Sequence, residues 1–147
     1  MGLSETLNQD LKSAMKAGKK HEVEAIRSLK SALRDKEIEK RGDLSEQDTL
    51  QVLSTAAKRR RESIESYEKG GRDDLVEQEK AELEVIEKYL PKQLSDNEIG
   101  AIVDEVIADT GASTIQDMGK VMGQVMPKVR GQADGNAVQN IVKEKLS

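Results

Sequence analysis

Apolar residues recur at helical spacing along most of this chain, and the spacing predicts seven helices and no strand. The first helix carries Leu3, Leu7, Leu11 and Met15. Side chains four positions apart lie on the same face of a helix, so these residues form one apolar stripe. The β-branched residues further along the chain also fall at helical spacing. The fold class expected from the pattern is therefore all-α.

Pro91 and the short segment after it mark a boundary between two groups of helices. The pattern predicts a four-helix N-terminal domain over residues 1–92 and a small three-helix C-terminal domain over residues 95–147. Ser95 followed by Glu98 is the signature of a capping box and predicts the start of a helix. A C-terminal unit this small buries only a small core, so it is expected to lean on a partner or on the first domain.

The segment from Asp117 to Leu146 combines an apolar stripe with glycines inside the same helix. The stripe consists of Met118, Val121, Met122, Val125 and Met126. Gly119 and Gly123 lie within it, where each costs about 1 kcal/mol relative to alanine. Two interpretations stay open for the glycines: close packing of another helix, or close approach of a phosphate backbone or partner. The methionines are likewise either core filler or an adaptable contact surface.

Basic residues occur in two places that bear on nucleic-acid binding. After Pro127 the chain enters a basic, glycine-containing turn formed by Lys128, Val129, Arg130, Gly131 and Gln132. Backbone N–H groups beside cations in such a turn can hold phosphate. The denser run, Lys58–Arg61, is expected to be a solvated face that pairs with Glu62 and Glu65, with nucleic-acid contact as the alternative. Glu79 and Glu82 are expected to be solvated as well.

Composition excludes several classes of function. The chain has no Cys and one His, which excludes a disulfide framework, a thiol nucleophile and a Cys/His zinc site. Two Tyr and no Trp or Phe make a base-stacking platform improbable. The net charge of -4 is not that of a general polyanion binder. Without a bilayer-length apolar segment or a signal-peptide core, no membrane partner is expected and the expected location is cytoplasmic.

Catalytic machinery is not recognisable in the sequence. The chain has no nucleotide-binding P-loop, no dinucleotide fingerprint and no nucleophile elbow. The carboxylates of the fourth helix lack the facing His that a carboxylate metal site normally adds. No cofactor, no metal ligands and no catalytic residues are therefore predicted.

Three motifs together carry a family resemblance. They are AKRRRESIESYEKGGRDDL (Ala57–Leu75), YLPKQLS (Tyr89–Ser95) and MGKVMGQVMPKVRGQADGNAVQNIVKEKL (Met118–Leu146). The chain resembles the YqeY family over essentially its whole length. That family is similar to the C-terminal part of GatB, a subunit of the glutamine-dependent amidotransferase that converts misacylated Glu-tRNA or Asp-tRNA. The GatB part handles tRNA, while the kinase-like and amidase chemistry lie elsewhere in the complex.

The resemblance implies a fold and a function class. The fold would be a helical domain followed by a small three-helix tail. A similarity-based label would be carbon-nitrogen ligase activity with glutamine as amido-N-donor, which we interpret as inherited from the complex. The first hypothesis is a non-catalytic tRNA- or structured-RNA-binding module, with no DNA binding expected. Its predicted site residues are Gly119, Lys120, Gly123, Gln124, Lys128, Arg130, Gly131 and Gln132.

Each of those residue types has a role in the hypothesis. Lysine and arginine would contact phosphates, glycine would allow close approach, and glutamine would hydrogen-bond sugars or base edges. The alternative is a protein-interaction module that docks an amidotransferase subunit, a synthetase or another translation factor through the Met-rich stripe. A third hypothesis, an enzyme acting alone, would need acids and His21 assembled across helices.

Overall fold

The computed structural model describes residues 2–147, and within that range it contains seven α-helices, one short 3-10 helix and no strand. The helices are α1 (Leu3–Ala17), α2 (Lys20–Lys40), α3 (Glu46–Lys69), α4 (Asp73–Glu87), α5 (Asp96–Thr110), α6 (Met118–Lys128) and α7 (Gly135–Leu146). The 3-10 helix, Ile115–Asp117, leads directly into α6. The predicted all-α fold class is confirmed.

The first of two compact units contains α1 to α4 and ends at Leu90. Helix α2 packs against α1, α3 and α4, and α3 packs along α4. The apolar stripes of all four helices meet in one core, whose buried members are Leu7, Ala14, Ala25, Ile26, Leu29, Leu33, Leu53, Ala57, Val85 and Ile86. The core therefore uses the predicted amphipathic pattern, except that Met15, the last residue of the predicted α1 stripe, is 54% exposed and Ala14 is buried instead.

The second compact unit begins at Pro91 and contains α5, α6 and α7, each of which packs against the other two. Its buried core consists of Ile99, Val103, Val106, Val121, Val125, Val129, Val138, Val142 and Leu146. Met118, Met122 and Met126 are half-buried and pack against this core. The methionines therefore do fill space at the edge of the core, as one of the two interpretations predicted.

Capping boxes begin the two helices for which the sequence gives a serine-acid pair. The Ser45 hydroxyl accepts from the Asp48 N–H at 3.1 Å, and the Asp48 carboxylate accepts from the Ser45 N–H at 3.0 Å. Ser95 and Glu98 make the same reciprocal pair at the start of α5. Asp48 also accepts a hydrogen bond from the Lys40 ammonium, and these contacts lower the pKa of its carboxyl to about 2. The capping box predicted from Ser95 and Glu98 is confirmed.

The basic run on α3 is exposed at Lys58 and Arg59, as predicted, but it is not paired with Glu62 and Glu65. One Arg60 nitrogen donates to the Glu79 carboxylate at 3.0 Å and lies 2.9 Å from a Glu82 oxygen. Arg61 lies 3.3 Å from the Glu87 carboxylate, so both arginines reach from α3 to α4. Glu65 pairs with Lys69 instead. The prediction was wrong because packing α3 against α4 brings acids closer than the i, i+4 neighbours are.

Glu82 is buried, although the sequence placed it on a solvated face. Its side chain is 4% exposed, and one of its oxygens accepts no hydrogen bond from any of residues 2–147 despite its closeness to Arg60. Burial penalises the charged form and raises the pKa of the Glu82 carboxyl above its ordinary value of 4.5, while the Arg60 charge opposes that rise. The folded state therefore holds the Glu82 proton more tightly than the unfolded chain does.

Replacing Glu82→Gln is expected to change how stability depends on pH. Because the folded-state pKa is raised, the stability that Glu82 contributes is present below about 4.5 and is lost as pH rises through the folded pKa. The free energy of unfolding of the variant, relative to the native chain, should therefore increase from pH 4.5 upward. Urea unfolding of both proteins across this range measures the difference. Glu77→Gln, at an exposed position of α4, is the control; equal pH profiles for the two variants would contradict the prediction.

Candidate functional site

Helix α6 has one fully buried side and one fully exposed side. Val121 and Val125 have no solvent exposure, and neither has Val129, which caps the helix. The exposed residues of the helix all lie on the opposite side and form what we call the α6 outer face: Gly119, Lys120, Gly123, Gln124, Pro127 and Lys128. Five of the eight residues predicted as site residues are therefore brought together on one surface, and Pro127 joins them unpredicted.

The two glycines of the α6 outer face are not used for packing within this chain. Apart from the adjoining residues and the backbone of α6 itself, no heavy atom of residues 2–147 lies within 4 Å of where a Cβ would stand at Gly119 or Gly123. Neither residue has a positive φ, so the helix itself does not require glycine there. No close packing of another helix against these glycines is therefore observed within residues 2–147. Gly123 lies in the interior of α6, where glycine costs about 1 kcal/mol relative to alanine, and Gly119 lies in its first turn. No contact within the described structure compensates for these glycines.

The turn after α6 exposes one cation and holds its backbone tightly. Arg130 is exposed, while Val129 before it is buried. The Gln132 N–H donates to the Val129 carbonyl at 2.8 Å, closing the turn. Gly131 adopts φ 74°, the left-handed region in which a side chain would be strained, and this explains why the turn contains glycine.

A short segment at the start of the second unit is hydrogen-bonded to this turn. The Leu94 N–H donates to the Gln132 carbonyl at 2.8 Å, and the Gln93 side-chain amide donates to the Gly131 carbonyl at 2.8 Å. In return, the Gln132 side-chain amide donates to the Lys92 carbonyl at 3.3 Å. We call these contacts the 92–94 clamp. The clamp fixes the position of the turn relative to the end of α6.

The clamp involves one predicted residue and adds another to the site. One N–H of the Gln132 side-chain amide donates to the Lys92 carbonyl, and the predicted contact of Gln132 with sugars or base edges stays a prediction. Lys92 itself is exposed and lies beside the basic turn, and sequence reasoning missed it. Lys92 lies in the motif YLPKQLS, which was interpreted from the sequence only as a connection between domains.

The cations of this surface are free of ion pairs. Among the residues that the structure describes, no carboxylate lies within 4.0 Å of the charged groups of Lys120, Lys128 or Arg130, whereas Lys145 of the same unit is paired with Asp104 at 2.9 Å. The nearest acid in sequence to Lys120 is Asp117, whose carboxylate accepts the N–H groups of Ser113 and Thr114. Those two bonds lower the pKa of the Asp117 carboxyl, so it stays charged as a cap.

The arrangement suits recognition of anionic groups by charge and shape. No cluster of three or more acidic or histidine side chains within residues 2–147 is placed to hold a metal ion. None of the helices in that range combines the length and apolar character needed to cross a bilayer. The surface offers open backbone at two glycines, flanking cations and a side-chain amide on Gln124, which are the groups that contact nucleic-acid backbones.

Replacing Gln93→Ala is expected to loosen the basic turn. The variant loses the hydrogen bond to the Gly131 carbonyl, which should lower the free energy of unfolding by about 1 kcal/mol. Amide hydrogen exchange at Leu94 and Gln132 should become faster, because local opening of the clamp becomes easier. NMR-detected exchange measures both amides. Gln116→Ala, at an exposed position, is the control, and unchanged exchange at Leu94 in Gln93→Ala would show that the clamp does not hold the turn.

Proteins with related sequences are found among fungal mitochondrial proteins. The chain is 40% identical over 85 residues to the Eremothecium gossypii protein named "Altered inheritance of mitochondria protein 41, mitochondrial"; the match covers 57% of this chain and 46% of that protein. The protein of the same name from Lachancea thermotolerans is 38% identical over 106 residues, covering 70% of this chain and 57% of its own length. A Saccharomyces cerevisiae protein of that name is 38% identical over 85 residues, which are 57% of this chain and 46% of that protein.

These relatives correct one expectation and limit others. The chain spans about half the length of the curated relatives that it matches, so the activity of those whole proteins is not transferred to it. Their names are those of mitochondrial proteins, which point to mitochondria and contradict the cytoplasmic location expected from the sequence. The expectation rested on the lack of a signal-peptide core, and that feature says nothing about mitochondria.

A family model matches nearly the whole chain. The model is described as "Yqey-like protein", and it matches residues 4–146, which include all seven helices except the first residue of α1. All three motifs that carried the sequence resemblance lie inside the matched range. The chain belongs to the YqeY family.

Proposed function

We propose that this chain is a non-catalytic module that binds tRNA or another structured RNA, related to the tRNA-handling part of glutamine-dependent tRNA amidotransferase. The observation that carries the proposal is the α6 outer face, on which Gly119 and Gly123 stand open beside unpaired cations. Open glycines on an exposed helix face disfavour the free helix, so a bound partner that approaches its backbone would explain them.

The geometry of the face matches a phosphate backbone. Gly119 and Gly123 are four residues apart, about 6 Å along the helix axis. Lys120, Gln124 and Lys128 follow the same four-residue spacing on the adjacent ridge and are all exposed. A phosphate strand lying along the glycines would thus have two ammonium groups at its side, with an amide between them to hydrogen-bond sugar hydroxyls.

The composition favours structured RNA over single strands. Proteins that bind single strands without sequence preference stack bases on aromatic side chains. The chain has only two tyrosines, and neither Tyr67 nor Tyr89 belongs to the second unit. Tyr89 is half-buried and donates its hydroxyl to Asp10. The mode of recognition left is by shape, through phosphates and 2′-hydroxyls, as proteins bind double-stranded RNA. Because DNA lacks the 2′-hydroxyl, DNA is not the expected ligand.

We also propose that the two compact units act as two domains, a four-helix N-terminal domain and a three-helix C-terminal domain that carries the RNA contact. A label of carbon-nitrogen ligase with glutamine as amido-N-donor would then describe a complex and not this chain. Its residues would contribute binding, with Lys92, Lys120, Lys128 and Arg130 as phosphate contacts. Gln124 would contact sugars, while Gly119, Gly123 and Gly131 allow close approach.

Reversing two charges tests the proposal. Lys128→Glu with Arg130→Glu is expected to weaken binding to bulk tRNA by about tenfold or more at low salt, because two phosphate contacts become repulsive. The slope of log affinity against log salt should fall by about two, roughly one for each phosphate that is no longer neutralised. Fluorescence anisotropy of labelled tRNA over a salt series measures both quantities, with duplex DNA as the comparison ligand.

Lys80→Glu with Lys143→Glu is the matched control, since both residues are exposed and carry no ion pair in the described structure. Its tRNA affinity should change much less than that of the Lys128/Arg130 variant. If both variants lost tRNA affinity equally, the loss would follow from net charge alone, and the assignment of the site to Lys128 and Arg130 would be contradicted. Failure of the native chain to bind tRNA, together with a partner protein retained at high salt, would instead favour docking through the half-buried edge of the methionines.

A further inference from the structure

A second basic surface lies on the first unit, and none of its polar or charged residues belongs to the α6 outer face or to the turn after it. Helices α1 and α2 enclose a groove of about 570 Å³, which we call the α1–α2 groove. Its lining from α1 is Ser4, Asn8 and Leu11, and its lining from α2 is Arg27, Lys30, Ser31, Leu33, Arg34 and Glu37. The lining is mostly polar, and three of its nine residues are cations.

The three cations form a row along α2. Arg27, Lys30 and Arg34 are spaced by three and four residues, so they project from one face of the helix over about 10 Å. None of them has a carboxylate partner within 4.0 Å among residues 2–147. Arg27 and Arg34 are exposed and Lys30 is half-buried. Like charges at this spacing disfavour the free helix slightly, so an anion seated over the row would stabilise it.

Three other arginines of the same unit are paired with carboxylates, whereas Arg41 and Arg59 are exposed and form no ion pair in the described structure. Arg60 and Arg61 are held by acids of α4, and Arg72 pairs with Asp74. The acid of the groove, Glu37, lies at one end of it and three residues beyond Arg34, yet it forms no ion pair there in the described structure. The groove thus keeps its positive charge available to an outside group.

The remaining lining residues favour phosphate over an acidic peptide. Ser4, Asn8 and Ser31 supply hydroxyl and amide groups that hydrogen-bond phosphate oxygens. A peptide helix seated in a groove needs apolar anchor pockets. The apolar lining consists of Leu11, which is half-buried, and Leu33, which is 5% exposed and belongs to the core. Only these two of the nine lining residues are apolar, so few apolar side chains are available to anchor such a helix.

We propose that the α1–α2 groove binds the phosphodiester backbone of an RNA, with Arg27, Lys30 and Arg34 each contacting a phosphate. That the nucleic acid is RNA rests on the proposed function, but the groove is a separate site with its own residues. The N-terminal unit then contributes directly to RNA affinity, in addition to the contacts proposed for the α6 outer face.

Neutralising the row tests the inference. Arg27→Gln, Lys30→Gln and Arg34→Gln together are expected to weaken tRNA binding by about tenfold or more at low salt and to reduce the salt slope by about two to three. The matched control neutralises three exposed cations that carry no ion pair in the described part of the chain and lie on α3 and α4: Lys58→Gln, Arg59→Gln and Lys80→Gln. Its slope should stay near that of the native chain. Arg27→Lys with Arg34→Lys should also keep the native slope, since both charges remain.

The outcomes separate this site from the one on α6. If the groove variant keeps the native slope while Lys128→Glu with Arg130→Glu loses binding, the groove inference is overturned and the proposed function stands. The reverse result supports the groove and overturns the assignment to α6. If the native chain binds polyglutamate more tightly than tRNA, and only the groove variant loses that binding, the groove is a site for acidic protein and the inference is overturned.

Discussion

Burial of the valines of α6 is the constraint on which the rest of the second unit depends. Val121, Val125 and Val129 are completely inaccessible to solvent, and α5 and α7 pack against the helix that carries two of them. Their burial fixes the rotation of α6 about its axis. Gly119 and Gly123 must then face outward, and the chain leaves Val129 directly into the basic turn. The 92–94 clamp holds that turn by hydrogen bonds to its backbone carbonyls. No charged side chain takes part in these bonds.

The two units distribute charge according to one rule. Where arginine lies between helices, as Arg60 does, acids of the neighbouring helix hold it, even though burying Glu82 raises the pKa of that carboxyl. Where cations lie along one helix face, as in α2 and α6, they form no ion pair among residues 2–147, even though Glu37 lines the groove on α2. A net charge of -4 is therefore compatible with two local basic surfaces.

Much of the fold is predictable from the sequence because it depends on local spacing. The α1 stripe and the capping box at Ser95 involve residues within a few positions of one another, and the structure contains the box and the stripe as far as Leu11. Contacts between distant residues were not predictable in the same way. The pairing of Arg60 with Glu82 depends on how α3 packs against α4, and the contact of Gln93 with Gly131 joins residues 38 positions apart. The periodicity of apolar residues carries no information about contacts between residues so far apart in the sequence.

The features of the candidate site also separate into those set by local spacing and those set by contacts between distant residues. That Gly119 and Gly123 share a face with Lys120 follows from helical geometry, but that this face is open required the packed structure. The tertiary hydrogen bond from the Gln132 amide to the Lys92 carbonyl was not predictable from spacing, and it is this bond that brings Lys92 to the surface. The expected cytoplasmic location was corrected by the names of related proteins, and no structural feature of residues 2–147 bears on it.

The most direct test of the account replaces both open glycines, Gly119→Ala with Gly123→Ala, and measures stability and tRNA affinity on the same protein. Nothing within 4 Å obstructs either Cβ, so the free energy of unfolding should rise by about 1–2 kcal/mol in total. Affinity for tRNA should fall, because the added methyl groups hold the phosphate backbone away from the helix. Asn140→Ala, at an exposed position of α7, should stabilise slightly without changing affinity. A stabilised double variant that binds tRNA as tightly as the native chain would contradict the claim that the glycine face of α6 is where the RNA lies.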